Sequence, residues 1–170
     1  VGTIEPRKNL RRVFEAFRAG RRASHFDWPL IVVGASGWKS SREHEMLDEL
    51  IKDGLALYLD YVTDDTLLTL YASAGALVFP SLYEGFGLPA LEAAACGCPV
   101  ITSEHSAMAE FAPEQTLFVN PEDVSSISDA LKAILSRSES DSGFDVSTHA
   151  AARTWVDVAQ ETSDVYLAAL

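Results

Sequence analysis

Apolar residues at helical spacing alternate with short β-rich runs along most of this chain, and that alternation fits a parallel sheet with helices on its faces. After Pro6, Leu10, Val13, Phe14 and Phe17 fall at i, i+3, i+4 and i+7, turning Arg11, Arg12, Glu15 and Arg18 outward, so a helix is predicted over residues 9–23. Pro29 then introduces Leu30, Ile31, Val32 and Val33, an unbroken apolar run ended by Gly34 that reads as a strand buried on both faces. Met46, Leu47, Leu50 and Ile51 make the next helical stripe, closed by Gly54, a residue that tolerates a left-handed backbone. The cycle continues with a strand at 55–59 and a helix capped by Thr63-Asp64-Asp65 and carrying Leu67, Leu68, Leu70 and Tyr71. A strand at 76–79, a helix beginning at Pro89 and a strand at 100–102 follow. A short helix is expected at 106–111, a strand at 116–119 and a helix at 124–136. After the polar stretch 138–142, a last helix over 147–170 carries Trp155, Val158, Val165 and Leu167.

At 170 residues the chain has the size of one domain with a single core. Its opening, Val1-Gly2-Thr3-Ile4, leaves almost no strand before the glycine that should end it. Because the first strand of an open parallel sheet normally lies centrally, beside the ligand-binding crevice, the expectation is a fragment cut close to or within that strand. A formal net charge of −12 argues against non-specific duplex binding, which needs a broad basic face, so no nucleic-acid partner is expected. The charge is nonetheless uneven. Arg7, Lys8, Arg11, Arg12, Arg18, Arg21 and Arg22 crowd the first helix and its approach, which suits either a solvated face or attraction to a phosphorylated ligand or anionic lipid. Cys96 and Cys98 match neither zinc nor redox spacing, and His25, His44, His105 and His149 show no ligand spacing, so no metal is expected. With no long apolar run and no signal-peptide pattern, the chain is expected to be soluble and cytoplasmic.

The chemistry concentrates in residues 80–92, a strand end, a glycine turn and a helix start. Pro89 fits a first helical turn, and Gly85 and Gly87 let the backbone come close to a ligand, so amides around Phe86, Gly87 and Leu88 can face an anion or a sugar edge. Glu84 and Glu92 bracket this turn in an E-x7-E pattern. Carboxylates accept hydrogen bonds only, which suits them to gripping the hydroxyl pairs of a ribose or hexose. Arg7 and Lys8 follow the first strand on the same rim, where a rigid guanidinium fork and a compact ammonium suit a diphosphate. Gly34-Ala35-Ser36-Gly37-Trp38 lacks the full dinucleotide-binding spacing. Trp38 can stack on a base or sugar or serve in packing.

These residues resemble family 4 of the retaining glycosyltransferases, enzymes of GT-B architecture with two facing Rossmann-like domains. The resemblance is carried by residues 1–9 (V-G-T-I-E-P-R-K-N), by 70–74, by 79–89 (F-P-S-L-Y-E-G-F-G-L-P) and by 91–103. It implies a Rossmann-like, doubly wound parallel sheet with helices on both faces, residues 1–170 forming the nucleotide-sugar-binding half of a GT-B enzyme. Arg7 and Lys8 would then hold a donor diphosphate, Glu84 the donor sugar and Glu92 the ribose hydroxyls. Backbone groups of Phe86, Gly87 and Leu88 would touch sugar and phosphate, the Tyr61-Val62 turn would meet the base, and Gly2 joins the donor-binding set. Arg7, Lys8 and Glu84 form the catalytic set.

The resemblance further implies transfer with retention, no metal or other cofactor, and a partner domain N-terminal to this chain that binds the acceptor. The final helix would cross back to that domain, leaving apolar positions exposed here. Residues 7–10 (R-K-N-L) with Gly37-Trp38 lean the reading towards mannosyl transfer from GDP-mannose onto a glycan or lipid-linked saccharide, in polysaccharide synthesis at the inner face of a membrane. A sugar-nucleotide epimerase and a non-catalytic binding module are the competing readings, because one fold hosts many chemistries.

Overall fold

Continuous apolar runs with no polar alternation call for cover on both faces, and among the described residues Val100–Ser103 is buried at every position. Ile31, Leu57 and Phe118 stay exposed, so the run 30–33 expected to be buried on both faces is covered on one face only in part. The computed structural model describes residues 1–112, 116–135 and 155–168. Strands β1 (Leu30–Val33), β2 (Ala56–Leu59), β3 (Leu77–Phe79), β4 (Val100–Ser103) and β5 (Leu117–Val119) alternate with α1 (Leu10–Arg22), α2 (Ser41–Lys52), α3 (Asp64–Ser73), α4 (Leu88–Ala95), α5 (Ala107–Phe111) and α6 (Val124–Leu135). A further helix, α7 (Trp155–Ala168), ends the described chain. Every strand pairing is parallel: β1 with β2, and β3, β4 and β5 in that order.

Two hydrophobic clusters cover opposite faces. Phe14 and Phe17 of α1, Leu47 and Leu50 of α2, and Ile127, Leu131 and Ile134 of α6 pack with Val32, Ile101 and Val119. Tyr71 of α3, Ala90 and Ala93 of α4 and Met108 of α5 pack with Leu77, Phe79 and Val100. Neighbouring residues Val100 and Ile101 thus face different clusters, as the period of two in a strand requires. Cys98 is a buried core residue, and burial pushes its thiol up to about 11.

The expected parallel α/β architecture is present, divided into two hydrogen-bonded sheets. Between β1 and β3 lies an apolar groove of about 310 Å³, lined by Ile31 and Val33 on one side and Ala76 and Val78 on the other, with Phe14, Phe17 and Tyr71 also lining it. The segment Val1–Ile4 is no full strand. It contributes one parallel bridge, Ile4 to Ser36, and the bonds Gly2 N–H to Val33 O and Ile4 N–H to Ala35 O, each 2.9 Å.

Element ends follow local chemistry. The helix expected from residue 9 starts at Leu10, because Asn9 is its cap in a left-handed conformation (φ 60°), entered from a 3-10 turn over Pro6–Lys8. Thr63 caps α3 by accepting a bond from the Thr66 N–H. Gly87 (φ 87°) caps α4, which starts one residue before Pro89. Of the last expected helix, 155–168 is helical, with Val165 and Leu167 exposed; residues 147–154 and the polar stretch 138–142 lie outside the described residues.

In a parallel arrangement the carboxyl ends of neighbouring strands share a rim. One buried side chain gathers them. The Asn9 amide donates to the Pro80 carbonyl at 2.9 Å, just after β3, and to the Pro121 carbonyl at 2.7 Å, just after β5. Asn9→Ala leaves two carbonyls without this donor and puts a Cβ without local polar support at a positive φ. The expected loss is about 2–4 kcal/mol from unpaired carbonyls and left-handed strain together, measurable by urea unfolding.

Candidate functional site

The Pro6–Lys8 turn carries two cations onto the rim, and the segment after β3 brings a carboxylate to meet them. One side-chain and one main-chain link align the segments, since the Asn9 amide holds the Pro80 carbonyl and the Leu82 N–H donates to the Arg7 carbonyl at 2.8 Å. Lys8 Nζ then lies 2.7 Å from Glu84 Oε1, and Arg7 Nη1 lies 2.9 Å from Glu84 Oε2. Lys8 and Glu84 are nearly buried, with side chains 10% and 8% exposed, whereas Arg7 is 41% exposed. The Lys8 ammonium also sits 4.5 Å from the centre of the Phe79 ring, a cation–π contact. Gly2 lies beside that lysine, where a Cβ would make ordinary contact with the Lys8 Cε and Nζ at 3.6 Å; what favours glycine there is the φ of +111°, which other residues rarely adopt.

Glu5 extends the cluster. Its Oε1 accepts from Arg7 Nη2 at 3.0 Å and its Oε2 accepts from the Trp38 indole N–H at 3.0 Å. Two cations therefore face two carboxylates. Burial pushes the Glu84 carboxyl up, but the hydrogen bond and charge of Lys8, with help from the Ser81 hydroxyl and Arg7, more than offset it and hold Glu84 below the usual carboxylate range. Burial works against the Arg7 charge, and Glu84 and Glu5 more than restore it.

A second wall comes from the glycine turn and α4. Gly87 is buried, and a Cβ on it would lie 2.3 Å from the Cγ of Met108, so only glycine fits there. No side chain caps α4, and Leu88 at its first position is exposed. The positive end of the helix dipole therefore lies four residues after Glu84 in the chain, with no side-chain cap from Gly87. Phe86 is half-buried in the turn. Thr102 Oγ1 donates to Phe79 O at 3.1 Å, and Ser103 Oγ donates to Ser81 O at 2.6 Å, fixing the approach to the turn from β4.

The sequence-expected residues divide into groups. Arg7, Lys8 and Glu84 are in direct contact, and Gly2 packs beside Lys8. Glu92 is exposed on α4 and accepts from the Tyr71 hydroxyl at 3.2 Å; burial and the Glu92 charge raise the pKa of that phenol. Tyr61, 82% exposed, and Val62 form the link from β2 to the Thr63 cap. Asn9 and Glu5 make contacts that hold this cluster together and that the residue-by-residue reading did not assign. The signal for Glu5 was an acidic residue at the edge of a basic run, and for Asn9 a polar residue in a position otherwise fit for a helix.

The family model described as "Glycosyl transferases group 1" matches residues 1–147. O-antigen chain mannosyltransferase B of Escherichia coli is 35% identical over 171 aligned residues, covering 98% of this chain and 44% of that protein. The chain thus spans less than half the length of this relative. Among solved structures, the C-terminal domain of a group 1 glycosyl transferase from Francisella tularensis superposes with a TM-score of 0.71 at 24% identity, covering 95% of this chain and 83% of that one. The Anabaena protein HepE, solved in complex with UDP and glucose, gives a TM-score of 0.72 at 17% identity, covering 99% of this chain and 48% of that one.

The Glu84 pairing sets a pH dependence with a definite sign. Its folded pKa lies below the unfolded value of about 4.3, so its stabilisation is complete above that pH and is lost as the pH falls through the folded value. Glu84→Gln removes this acid-sensitive part and strands a nearly buried ammonium. At pH 7 the variant should be less stable by on the order of 3 kcal/mol, and its stability should fall less than the wild type's on acidification below about pH 4.3. Urea unfolding of both proteins across that range checks both statements.

Proposed function

The chain belongs to the group 1 glycosyl transferases, and on that premise we propose that it forms the donor-binding part of an enzyme moving a hexosyl group from a nucleoside diphosphate sugar with retention of configuration. The single observation that carries the reading is the rim cluster in which Arg7 and Lys8 converge on Glu84, four residues before the start of α4. Breaking a sugar–phosphate bond puts growing negative charge on the leaving diphosphate. Two fixed cations and the positive end of a helix dipole stabilise the charge as it forms, without having to reorganise.

In this reading Arg7 and Lys8 hold the diphosphate and Glu84 grips the donor sugar's hydroxyls. Glu92 binds the ribose hydroxyls, Tyr61 and Val62 meet the base, and Gly2, Phe86, Gly87 and Leu88 shape the wall. The acceptor hydroxyl attacks the anomeric carbon on the face from which the diphosphate departs, and its proton passes to a leaving phosphate oxygen. The charge work is done by side chains of this chain, so no metal or cofactor is assigned. The acceptor site is assigned to a further domain N-terminal to Val1, and residues 1–170 act as one donor-binding domain.

GDP-mannose is the donor we favour, and a glycan or lipid-linked saccharide the acceptor, because the E. coli relative is named as an O-antigen chain mannosyltransferase. HepE, which shares the fold, was solved with UDP and glucose, and this supports a site for a nucleotide and a sugar here. No described helix is long and apolar enough to cross a membrane. Work on a lipid-linked acceptor would place the longer protein in the cytoplasm, peripherally at the inner membrane face.

Thermal unfolding with GDP, GDP-mannose, UDP, UDP-glucose and ADP-glucose tests the reading. At 100 times its dissociation constant, a ligand stabilises by about 2.7 kcal/mol. The expected result is a rise in Tm with GDP and GDP-mannose, abolished in Glu92→Ala and in the double variant Arg7→Ala/Lys8→Ala. A rise with uridine nucleotides alone would move the donor assignment. No rise with any nucleotide, in this chain or in a longer protein containing it, would end the reading.

A further inference from the structure

We propose that Glu5 is a positioning residue for Arg7 and that, through Trp38, it ties the loop after β1 to the phosphate side of the site. The inference rests on the donor reading above and deepens it, because it concerns how the same site holds Arg7 ready for a diphosphate. Glu5 precedes the Pro6–Lys8 turn in an extended conformation (φ −150°, ψ 156°), and the turn brings Arg7 back against it. Its carboxylate is 12% exposed, and both oxygens are used: one by Arg7 Nη2 and one by the Trp38 indole N–H, each at 3.0 Å.

The guanidinium is therefore gripped at both terminal nitrogens, by Glu5 on one side and Glu84 on the other. This matters because the two carboxylates have different prospects. When Glu84 turns to a sugar hydroxyl it gives up part of its hold on Arg7, and Arg7, 41% exposed, would be free to swing into solvent. Glu5 does not face that competition. A free arginine has many rotamers to lose, and a guanidinium already fixed loses less of that freedom on meeting a phosphate.

Trp38 adds the second half of the argument. It is 63% exposed on the loop between β1 and α2, with the Lys39 ammonium 5.1 Å from its ring centre. An indole 63% exposed leaves only a small part of its surface for the partly buried packing role, one of the two open from sequence. Its N–H bond to Glu5 orients the ring on the rim, so any change in the Arg7–Glu5 pair is felt at an exposed fluorophore.

Electrostatics alone and positioning predict opposite signs. Removing a carboxylate beside an anion site should tighten phosphate binding by relieving repulsion, whereas removing a positioning group should weaken it. The test is a double-mutant cycle by calorimetry on this chain with Glu5→Gln, Arg7→Ala and the double variant, using GDP and UDP as probes. Glu5→Gln is expected to weaken binding about 5- to 10-fold in the presence of Arg7 and by less than about twofold in the Arg7→Ala background. GDP should change the tryptophan fluorescence of the wild type, and Trp38→Phe and Glu5→Gln should each remove that change. Unchanged or tighter binding by Glu5→Gln overturns the proposal, as does an equal loss in both backgrounds, which would mark a general structural role. Failure of the wild type to bind any of the nucleotides, both as this chain and within a longer protein containing it, would sink the donor reading and this inference with it; binding by the wild type with no effect of Glu5→Gln sinks this inference alone.

Discussion

The site depends on one buried amide. Asn9 sits at the junction of the Pro6–Lys8 turn and α1, and its two N–H groups are spent on carbonyls that follow β3 and β5. Few other side chains could do this. A carboxylate has no donor to give, and a lysine or arginine would bring a charge into a buried position. The left-handed conformation required of the residue is tolerated best by glycine and asparagine, and glycine has no side chain to donate. The constraint thus selects asparagine on two independent grounds.

Several features of the rim follow from that junction. With Pro80 fixed by Asn9 and Leu82 fixed by the Arg7 carbonyl, the segment after β3 can lie only one way against the turn, and Glu84 arrives beside Lys8 and Arg7. The two segments are 76 residues apart in sequence, so local preference alone could not have paired them. The carboxylate and the ammonium are nearly buried, where an unpaired charge would be costly, and this makes their pairing stringent. A cluster of two cations and two carboxylates also keeps the ligand-free site near neutrality, so the empty rim does not repel itself. A ligand that draws Glu84 towards hydroxyls would uncover positive charge beside its own phosphates.

The sequence and the structure agree where signals are local. Capping by Thr63, the stop at Gly54, the glycine turn and the proline at the start of α4 are readable because each acts within a few residues. Strand positions are readable to within a residue or two, because short β-rich runs between glycine and proline leave little choice. Partner choice is another matter. Tyr71 reads as one more apolar position in a helical stripe, yet its hydroxyl bonds Glu92. Glu5 reads as a stray acid in a basic run, yet it joins Arg7 to Trp38. The division into two sheets was also out of reach, since strand pairing is decided by which edges meet, and residues 1–4 form only a bridge. Roles for individual residues came from resemblance to a family, and the geometry adds the contacts of Arg7, Lys8 and Glu84.

The central claim is that the Arg7–Lys8–Glu84 rim receives the diphosphate of a nucleotide sugar. Mapping backbone amide chemical shifts of this chain during titration with GDP-mannose tests it most directly, because the result is a location. The account predicts that the largest changes cluster at Gly2, Arg7, Lys8, Glu84 and 86–88, with a second group at Tyr61, Val62 and Glu92. Saturable changes centred elsewhere, with the amides of Arg7, Lys8 and Glu84 unmoved, would contradict it.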